Sequence, residues 1–446
     1  MIRRFYIVTM GCQMNEYDSD NLSQLLINSG FISTDNHENA DLIMINTCTV
    51  RAKAQQKAFS LLGRMISLKK RRPDLILGLM GCIAQQESMG LLKKFPELDL
   101  ILGTREIGRV PQLLDRIMNK NEKIVATDLS IKRISPVRHD GYFKGRVKGY
   151  ISIMEGCNNF CSYCIVPYVR GREVSRSSKE IIKEARSLVS QGIKEITLLG
   201  QNVNSYSSAE REDVNFPMLL RMLSSLDGLI RIRFTTSHPK DLSDDLISCF
   251  KELSDLCPHI HLPFQSGSDR ILKMMNRGYT REQYIDLITK LRNIRPDFAI
   301  TSDVIVGFPG ESENDFQMTL DLIKKIEFDN LFSFKYSDRK GTLSEKMDRK
   351  IDEDEKSSRL LILQSIQKGI TLKRNKNYIG QVEEVLVEGD SKKGDQLTGR
   401  TITNKIVNFY CNIKMIGSLV KVIIKRAFIN SLQGTFIKGQ QDTILT

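Results

Sequence analysis

The chain predicts an α/β protein in three parts: an N-terminal doubly wound parallel sheet, a central partial (βα)6 barrel and a C-terminal small β-barrel. Three observations carry this. Apolar strand-like runs alternate with helical stretches over the first 120 residues, the same alternation resumes after a polar stretch, and from Tyr378 the pattern changes to short β runs separated by turn residues. At 446 residues the chain is long enough for two or three separately cored domains.

In the first part, Phe5–Met10 is a β-branched apolar run, and Glu16–Ser29 carries Leu22, Leu25 and Leu26 at helical spacing before Gly30. Leu42–Asn46 reads as a second strand, Arg51–Lys70 as a long helix, Leu75–Met80 as a third strand and Asp99–Leu102 as a fourth. Asn119 to Phe143, polar and basic with Asp128, Pro136 and Gly141, reads as a linker. We set the first domain at 1–120 and the linker at 121–142.

The second part, 143–376, offers six strands: Gly149–Met154, Glu195–Leu199, Arg231–Thr235, Ile260–Leu262, Ala299–Val306 and Leu331–Tyr336. Helical stretches such as Lys179–Val189 and Arg281–Arg292 separate them, and the charged helix Ile351–Asn375 closes the series. Chemistry in such a barrel belongs at the C-terminal mouth of the strands. In the third part, 377–441, Val382–Val387 and Leu419–Ile424 alternate, and Ile402–Phe409 is broken by Asn404. This fits a small barrel of the oligonucleotide-binding kind.

The densest chemical signal is Cys157-Asn158-Asn159-Phe160-Cys161-Ser162-Tyr163-Cys164. Three thiolates at Cys-x-x-x-Cys-x-x-Cys spacing can hold three irons of a 4Fe–4S cluster and leave the fourth open. A structural zinc site would want a fourth ligand. The nearest histidines, His139 and His238, lie far from the loop in sequence. A second trio is spread out. Cys12, Cys48 and Cys82 each follow one of the first three expected strands, in Met10-Gly11-Cys12, Asn46-Thr47-Cys48 and Met80-Gly81-Cys82. Parallel strands present their C-terminal ends along one edge, so three distant loops would deliver three thiols to the crevice where such sheets bind ligands. Independent burial of three cysteines is the alternative.

Leu199-Gly200-Gln201-Asn202 follows the second barrel strand, and Asp303 to Glu311, with Gly307, covers the end of the fifth and its turn. Glycines there let backbone approach a ligand, although taken alone a tight βα turn explains them better. Cys249, Cys257 and Cys411 fit no ligand spacing and read as packing residues. His259 and His261 alternate along one strand and read as structural, while His238 at a strand end is the better candidate for substrate contact.

Net charge is +13, which points to a polyanionic partner such as nucleic acid. The C-terminal part is itself basic, through Lys392, Lys393, Arg400, Lys405, Lys414, Lys421, Lys425 and Arg426. Nine cysteines, an odd number in a long chain, argue against a disulfide framework and for a reducing, cytoplasmic setting. The N-terminus reads as a strand rather than a targeting segment, and no apolar run is long enough to cross a bilayer.

The loop Cys157–Cys164 resembles that of radical S-adenosylmethionine enzymes, and Gly399-Arg400-Thr401-Ile402-Thr403-Asn404-Lys405 resembles the TRAM RNA-binding module. Taken over nearly the whole chain, the pattern resembles the methylthiotransferases. Cys164-Ile165-Val166-Pro167-Tyr168, Gly171-Arg172-Glu173, Gly200 to Tyr206 and Thr236-Ser237-His238-Pro239 favour members acting on isopentenyladenosine in tRNA. Sister enzymes act on threonylcarbamoyladenosine or a ribosomal protein. Lys340 before Gly341, and Lys405, depart from the usual family residues and put local loop shape or RNA contacts in doubt.

The resemblance implies methylthiolation of carbon 2 of N6-isopentenyladenosine at position 37 of the tRNA anticodon loop. That carbon is not acidic and has no leaving group, so radical chemistry carried by a cofactor is the available route. The implied cofactors are two 4Fe–4S clusters, one on Cys157, Cys161 and Cys164 and one on Cys12, Cys48 and Cys82. S-adenosylmethionine would serve twice, as radical source at the first cluster and as methyl donor. Its implied contacts are Tyr163, Gly200, Gln201, Asn202, Asp303 and Gly307. The implied RNA contacts are Arg400, Lys405, Lys421 and Lys425. Implied partners are an electron donor such as flavodoxin or ferredoxin and an iron–sulfur assembly or carrier protein, with no membrane. A non-catalytic, zinc-stabilised RNA-binding protein would use many of the same features. Anaerobically purified protein that is brown and contains iron and sulfide would exclude it.

Overall fold

The computed structural model describes residues 3–49, 52–131, 139–208, 214–392, 394–411 and 415–438; Lys393, Lys414 and Pro136 lie outside them. The chain forms two compact units: Met1–Tyr142 with Glu155–Asn158 and Ile165–Val174, and Phe143–Met154 with Asn159–Cys164 and Ser175–Thr446.

The first unit is built on one parallel sheet of six strands in the order β2-β1-β3-β4-β5-β6. The strands are β1 (Arg4–Met10), β2 (Ile32–Ser33), β3 (Leu42–Thr47), β4 (Ile76–Gly81), β5 (Leu100–Leu102) and β6 (Ile124–Ala126). β3 is buried at every position, as a central parallel strand covered on both faces must be. Its side chains divide between two cores. Leu42 and Met44 pack with Leu22, Leu26, Leu113 and Leu114 on one face, and Ile43 and Ile45 with Leu62, Met65 and Leu77 on the other. Helices on both faces make the sheet doubly wound, as expected.

Two strands were not legible. β2 has two residues, and β6 lies inside the stretch read as a linker, so residues 124–126 belong to the sheet rather than to a connection. The first helix also starts earlier than its apolar pattern, at Gln13 rather than Glu16. Its opening turn is polar because it faces the cysteine loops.

In the second unit six parallel strands form two three-stranded sheets, β7-β10-β11 and β12-β13-β14. They are β7 (Lys148–Ser152), β10 (Glu195–Leu199), β11 (Arg231–Phe234), β12 (His259–His261), β13 (Ala299–Val306) and β14 (Asn330–Lys335); the short β8 (Met154–Glu155) and β9 (Val174–Ser175) pair with each other. The two sheets meet where the Ser237 N–H donates to the His261 carbonyl at 3.3 Å, giving the expected partial barrel.

The C-terminal strands close a five-stranded barrel in the order β15-β16-β17-β19-β18. The strands are β15 (Val382–Asp390), β16 (Leu397–Thr401), β17 (Ile406–Tyr410), β18 (Leu419–Ala427) and β19 (Leu432–Phe436). The run expected as one broken strand, Ile402–Phe409, is instead a turn and a strand. Asn404 takes φ +68° at the turn, and β16 ends before it. The barrel core is Val385, Val407, Phe409, Val422 and Ile424 with their neighbours. Among the described residues no helix is long and apolar enough to cross a membrane.

Candidate metal centres and nucleic-acid interface

In the first unit the strand register does what the spacing of Cys12, Cys48 and Cys82 implied. Met10 pairs with Thr47, and Thr47 with Gly81, across three adjacent strands. Each cysteine follows within two residues. The junction of β1 and β3 is also where a sheet of this order reverses direction, the position at which doubly wound sheets bind ligands.

Small residues are required at this edge. A Cβ on Gly11 would lie 2.9 Å from the Cys48 Cβ, and one on Gly81 would lie 2.7 Å from Asn46 Oδ1 and strike the Thr47 carbonyl. Gly81 also has φ +95°. Gly81→Ala should therefore lower stability by about 1–3 kcal/mol. Urea unfolding checks this, and an unchanged midpoint would contradict the close approach.

A buried polar network underlies the thiols. Asn15 Nδ2 donates to Asn46 Oδ1 at 2.8 Å, Asn46 Nδ2 donates back to the Asn15 carbonyl at 2.8 Å, and the Cys12 N–H donates to Asn15 Oδ1 at 3.1 Å. The Cys48 thiol hydrogen-bonds Cys12 and is the main reason the Cys12 pKa falls to about 6; burial opposes it, and Arg170 with nearby backbone N–H groups adds to it. The lowering favours the thiolate of Cys12, the form that binds metal. Burial raises the pKa of Cys82, against the attraction of Arg170.

Arg170 is buried between Asp18, 3.2 Å away, and Glu155, 3.6 Å away. Neither it nor Asn15 had a distinguishing sequence signal; Arg170 only adjoins the Gly171-Arg172-Glu173 motif.

The residues of the radical-type loop divide between the two units, Cys157 in the first and Cys161 and Cys164 in the second. Cys157 is buried, and its N–H donates to the Gly171 carbonyl at 3.2 Å. Phe160 takes φ +45°, and the Cys164 N–H donates to the Cys161 carbonyl at 2.9 Å. In the second unit, Arg277 Nη1 approaches Cys161 Sγ at 3.4 Å, Nη2 donates to the Pro263 carbonyl at 2.7 Å, and Nε donates to Tyr279 Oη at 3.2 Å. Arg277 was not foreseen from the sequence. Tyr163 packs against the cluster of Ile271, Met275, Phe308 and Tyr336. Burial holds its phenol well above the ordinary pKa, opposed by Arg277 and reinforced by Cys161 and Cys164.

None of the nine cysteines is in a disulfide. Among the described residues no three His, Cys, Asp or Glu side chains are gathered to chelate a single metal ion. An iron–sulfur cluster places each thiolate on a different iron, so its ligands stand farther apart. The two trios fit that donor set: thiols only, with a favoured thiolate or a guanidinium already among them.

The strand ends of the partial barrel carry polar groups left over by the fold. Among the described residues, Asn202 Oδ1 after β10, Ser237 Oγ and His238 Nε2 after β11, and Gln265 Oε1 after β12 are buried with no hydrogen-bond partner. Such atoms are rare in native interiors and fit a polar small molecule at this mouth. Thr236 and Gln265 also take φ +68° and +64°, as strained residues at binding sites often do. His238 Nδ1 accepts from the Lys240 N–H, which leaves Nε2 as the protonated nitrogen. Burial, then Arg277 and Lys240, pushes the His238 pKa down to about 2, so the ring stays neutral.

The other expected contacts vary. Gly200 lies against Met154, where a Cβ would come within 2.5 Å of the Met154 Cγ. Gln201 is half-buried beside Asn202. Asp303 faces His261 Nε2 at 3.4 Å. The Gly307 N–H donates to Glu311 at 2.6 Å, and Glu311 pairs with Arg359 at 2.7 Å, so the Gly307 turn is closed on itself. Cys249 and Cys257 are buried and their thiols raised to about 11 by burial, as packing residues would be. Cys411 lies half-buried beside Met415 at the edge of the barrel core.

On the C-terminal barrel the four expected RNA contacts separate. Lys421 and Lys425 are exposed on the outside of β18, with Arg426 beside them. Arg400 is half-buried against Glu388 at 3.2 Å. Lys405 is used inside the protein: its ammonium lies 2.7 Å from buried Asp329, which Arg374 also approaches at 3.1 Å. Arg233 donates to the carbonyls of Ile402 and Thr401, and Arg231 to that of Arg400. The run Gly399–Lys405 is thus the barrel's attachment to the strands beneath it.

Three families match the chain. The Radical SAM superfamily covers residues 151–323, the Uncharacterized protein family UPF0004 residues 4–103 and the TRAM domain residues 376–437. Among solved structures, a radical S-adenosylmethionine methyltransferase, TsrM from Kitasatospora setae, superposes with a TM-score of 0.59 at 16% identity, over 77% of each chain. The cobalamin-dependent S-adenosylmethionine radical enzyme OxsB superposes with a TM-score of 0.53 at 12% identity, over 82% of this chain and 56% of that one. At such identity these share the fold. Fold and matches together define a radical S-adenosylmethionine enzyme with a TRAM domain.

The relatives are closer. The tRNA-2-methylthio-N(6)-dimethylallyladenosine synthase of Syntrophus aciditrophicus (strain SB) is 52% identical over 98% of this chain and 95% of its own length. That of Geobacter metallireducens is 50% identical over 96% of this chain and 97% of its own. The chain belongs to the tRNA-2-methylthio-N(6)-dimethylallyladenosine synthase family.

Proposed function

We propose that the chain methylthiolates carbon 2 of N6-isopentenyladenosine at position 37 in the anticodon loop of tRNA, using two S-adenosylmethionine molecules per turnover. The observation that carries the reading is the register Met10–Thr47–Gly81, which sets three thiols on one sheet edge in a chain that also bears the Cys157–Cys164 loop. Cys157, Cys161 and Cys164 would hold a cluster that would supply the electron for cleaving S-adenosylmethionine, and the second trio would hold a centre that would serve sulfur transfer.

The protein's own groups bind and orient. Cys157, Cys161 and Cys164 would hold one cluster, and Cys12, Cys48 and Cys82 the other. Tyr163, Gly200, Gln201, Asn202 and Asp303 would line the place for S-adenosylmethionine, with Asn202 contributing an Oδ1 that has no partner among the described residues, whereas the Gly307 turn is closed by Glu311. His238 Nε2–H is a neutral donor within the same mouth, 5.7 Å between ring centres from Tyr279. The target base must leave its stack, which an unpaired anticodon loop permits at low cost. We further propose three domains, the first running through β6 (Ile124–Ala126) and the others at 143–376 and 377–441, a cytoplasmic setting in which thiols stay reduced, a flavodoxin or ferredoxin as electron donor and an iron–sulfur carrier for assembly.

Lys421 and Lys425 supply part of the tRNA affinity through phosphate contacts, whereas Lys405 supports the fold. Lys421→Ala with Lys425→Ala should weaken tRNA binding and lower its salt slope by about 2, at unchanged stability. Lys405→Met should instead lower stability by about 1–3 kcal/mol, because Asp329 loses a charged partner. Filter binding across salt concentrations and urea unfolding separate the two, and an unchanged salt slope in the double variant contradicts the assignment. These substitutions are sharper than deleting the barrel, which would orphan the buried Arg231 and Arg233. The functional reading itself is tested by nucleoside analysis of tRNA from a deletion strain. Isopentenyladenosine should accumulate in place of its methylthio form.

A further inference from the structure

We propose that Arg170 is the buried cation of the metal centre built by Cys12, Cys48 and Cys82, offsetting the centre's negative charge. The proposal rests on the cluster reading above and adds to it a residue that reading does not use.

Arg170 is only 4% exposed. A buried guanidinium needs anionic partners, and the fold supplies two carboxylates, Asp18 at 3.2 Å and Glu155 at 3.6 Å, both buried. Cys82 packs in one buried cluster with Ile165 and Val169, the chain neighbour of Arg170, and the guanidinium attracts the Cys82 and Cys12 thiolates electrostatically. Even so, Nη1 has no hydrogen bond among the described residues. Its nearest carboxylate oxygen, on Glu155, stands at 3.6 Å, beyond hydrogen-bond distance, so Nη1 has room for a further acceptor. That donor stands beside the thiols, on a chain segment, Ile165–Val174, that packs within the same unit as they do. The segment is anchored there independently: Thr104 Oγ1 donates to the Val169 carbonyl at 3.2 Å and Arg105 Nη2 to the Arg170 carbonyl at 3.0 Å.

A cluster on three thiolates is anionic and gains another negative charge on reduction. A fixed buried cation therefore favours the reduced state, and removing it should move the potential to more negative values. Asp18 has the opposite sign. Neutralising it leaves Arg170 uncompensated and should move the potential to more positive values. Hydrogen bonds to cluster sulfurs and local charge are among the features that set such potentials.

The experiment uses the full chain with Cys157→Ala, Cys161→Ala and Cys164→Ala, so that iron reports on the N-terminal centre alone. Into this parent are placed Arg170→Met, Arg170→Lys and Asp18→Asn. Each is titrated with dithionite and mediators and read by electron paramagnetic resonance, with iron content and circular dichroism alongside. We expect a negative shift or loss of iron in Arg170→Met at unchanged circular dichroism, a potential near that of the parent in Arg170→Lys, and a positive shift in Asp18→Asn. If Arg170→Met fails to fold, the Asp18→Asn shift decides the matter. A parent potential retained in Arg170→Met, or in Asp18→Asn when Arg170→Met is unfolded, overturns the proposal alone. A parent that binds no iron overturns the cluster reading and the proposal with it.

Discussion

Replacing any one of Cys157, Cys161 and Cys164 with alanine is expected to abolish reductive cleavage of S-adenosylmethionine, with 5′-deoxyadenosine falling to the background of a protein-free control. Each thiol would hold a different iron, and losing one leaves a second iron open and the cluster unstable. The surrounding structure predicts that the loss is chemical rather than structural. The loop backbone is fixed by bonds that do not use the thiols, from the Cys157 N–H to Gly171 and from Ser162 Oγ to the Met274 carbonyl at 2.9 Å. Circular dichroism should therefore be unchanged. Normal 5′-deoxyadenosine production by a single variant would remove the loop from the mechanism.

The triple change Cys12→Ala, Cys48→Ala and Cys82→Ala is expected to separate radical formation from sulfur transfer. Iron should fall by about half, on the expectation of one cluster per cysteine trio. Cleavage of S-adenosylmethionine should persist, because homolysis needs only the loop cluster. Transfer of a methylthio group should be absent. Cys12 and Cys48 lie just past strand ends and Cys82 opens the short helix after β4, all outside the two apolar cores of the sheet. The substitutions should thus leave the sheet folded, although the network through Asn15 loses its contact with the Cys12 thiol. A triple variant that still makes the methylthio nucleoside, or one with wild-type iron content, contradicts the two-centre account.

What the sequence made legible was whatever a local pattern encodes. β1, β3 and β4 announce themselves as apolar runs, and a parallel sheet then forces Cys12, Cys48 and Cys82 to one edge without any knowledge of contacts. The loop Cys157–Cys164 is legible because its ligands are close in sequence. What escaped is either too short or tertiary. β2 has two residues and β6 three, below the length at which alternation means anything. Lys405 looked like an RNA contact because a lysine in a basic barrel carries no mark of its partner; only the fold brings Asp329 to it. Arg170 and Arg277 are two arginines in a chain with 66 lysines and arginines, and their meaning comes from what is buried beside them. Gly307 was read as a point of ligand approach, yet Glu311 takes its N–H, which is the tight-turn explanation of the same residue.

The most direct test of the central claim is a reaction of the anaerobically purified, reconstituted protein with isopentenyladenosine-containing tRNA, S-adenosylmethionine, a sulfide source and dithionite. The tRNA is digested and its nucleosides are identified by mass spectrometry. The account predicts 2-methylthio-N6-isopentenyladenosine, formed together with 5′-deoxyadenosine and S-adenosylhomocysteine. Protein that carries both clusters and yields 5′-deoxyadenosine but leaves isopentenyladenosine unmodified, while modifying threonylcarbamoyladenosine in a parallel reaction, would contradict it.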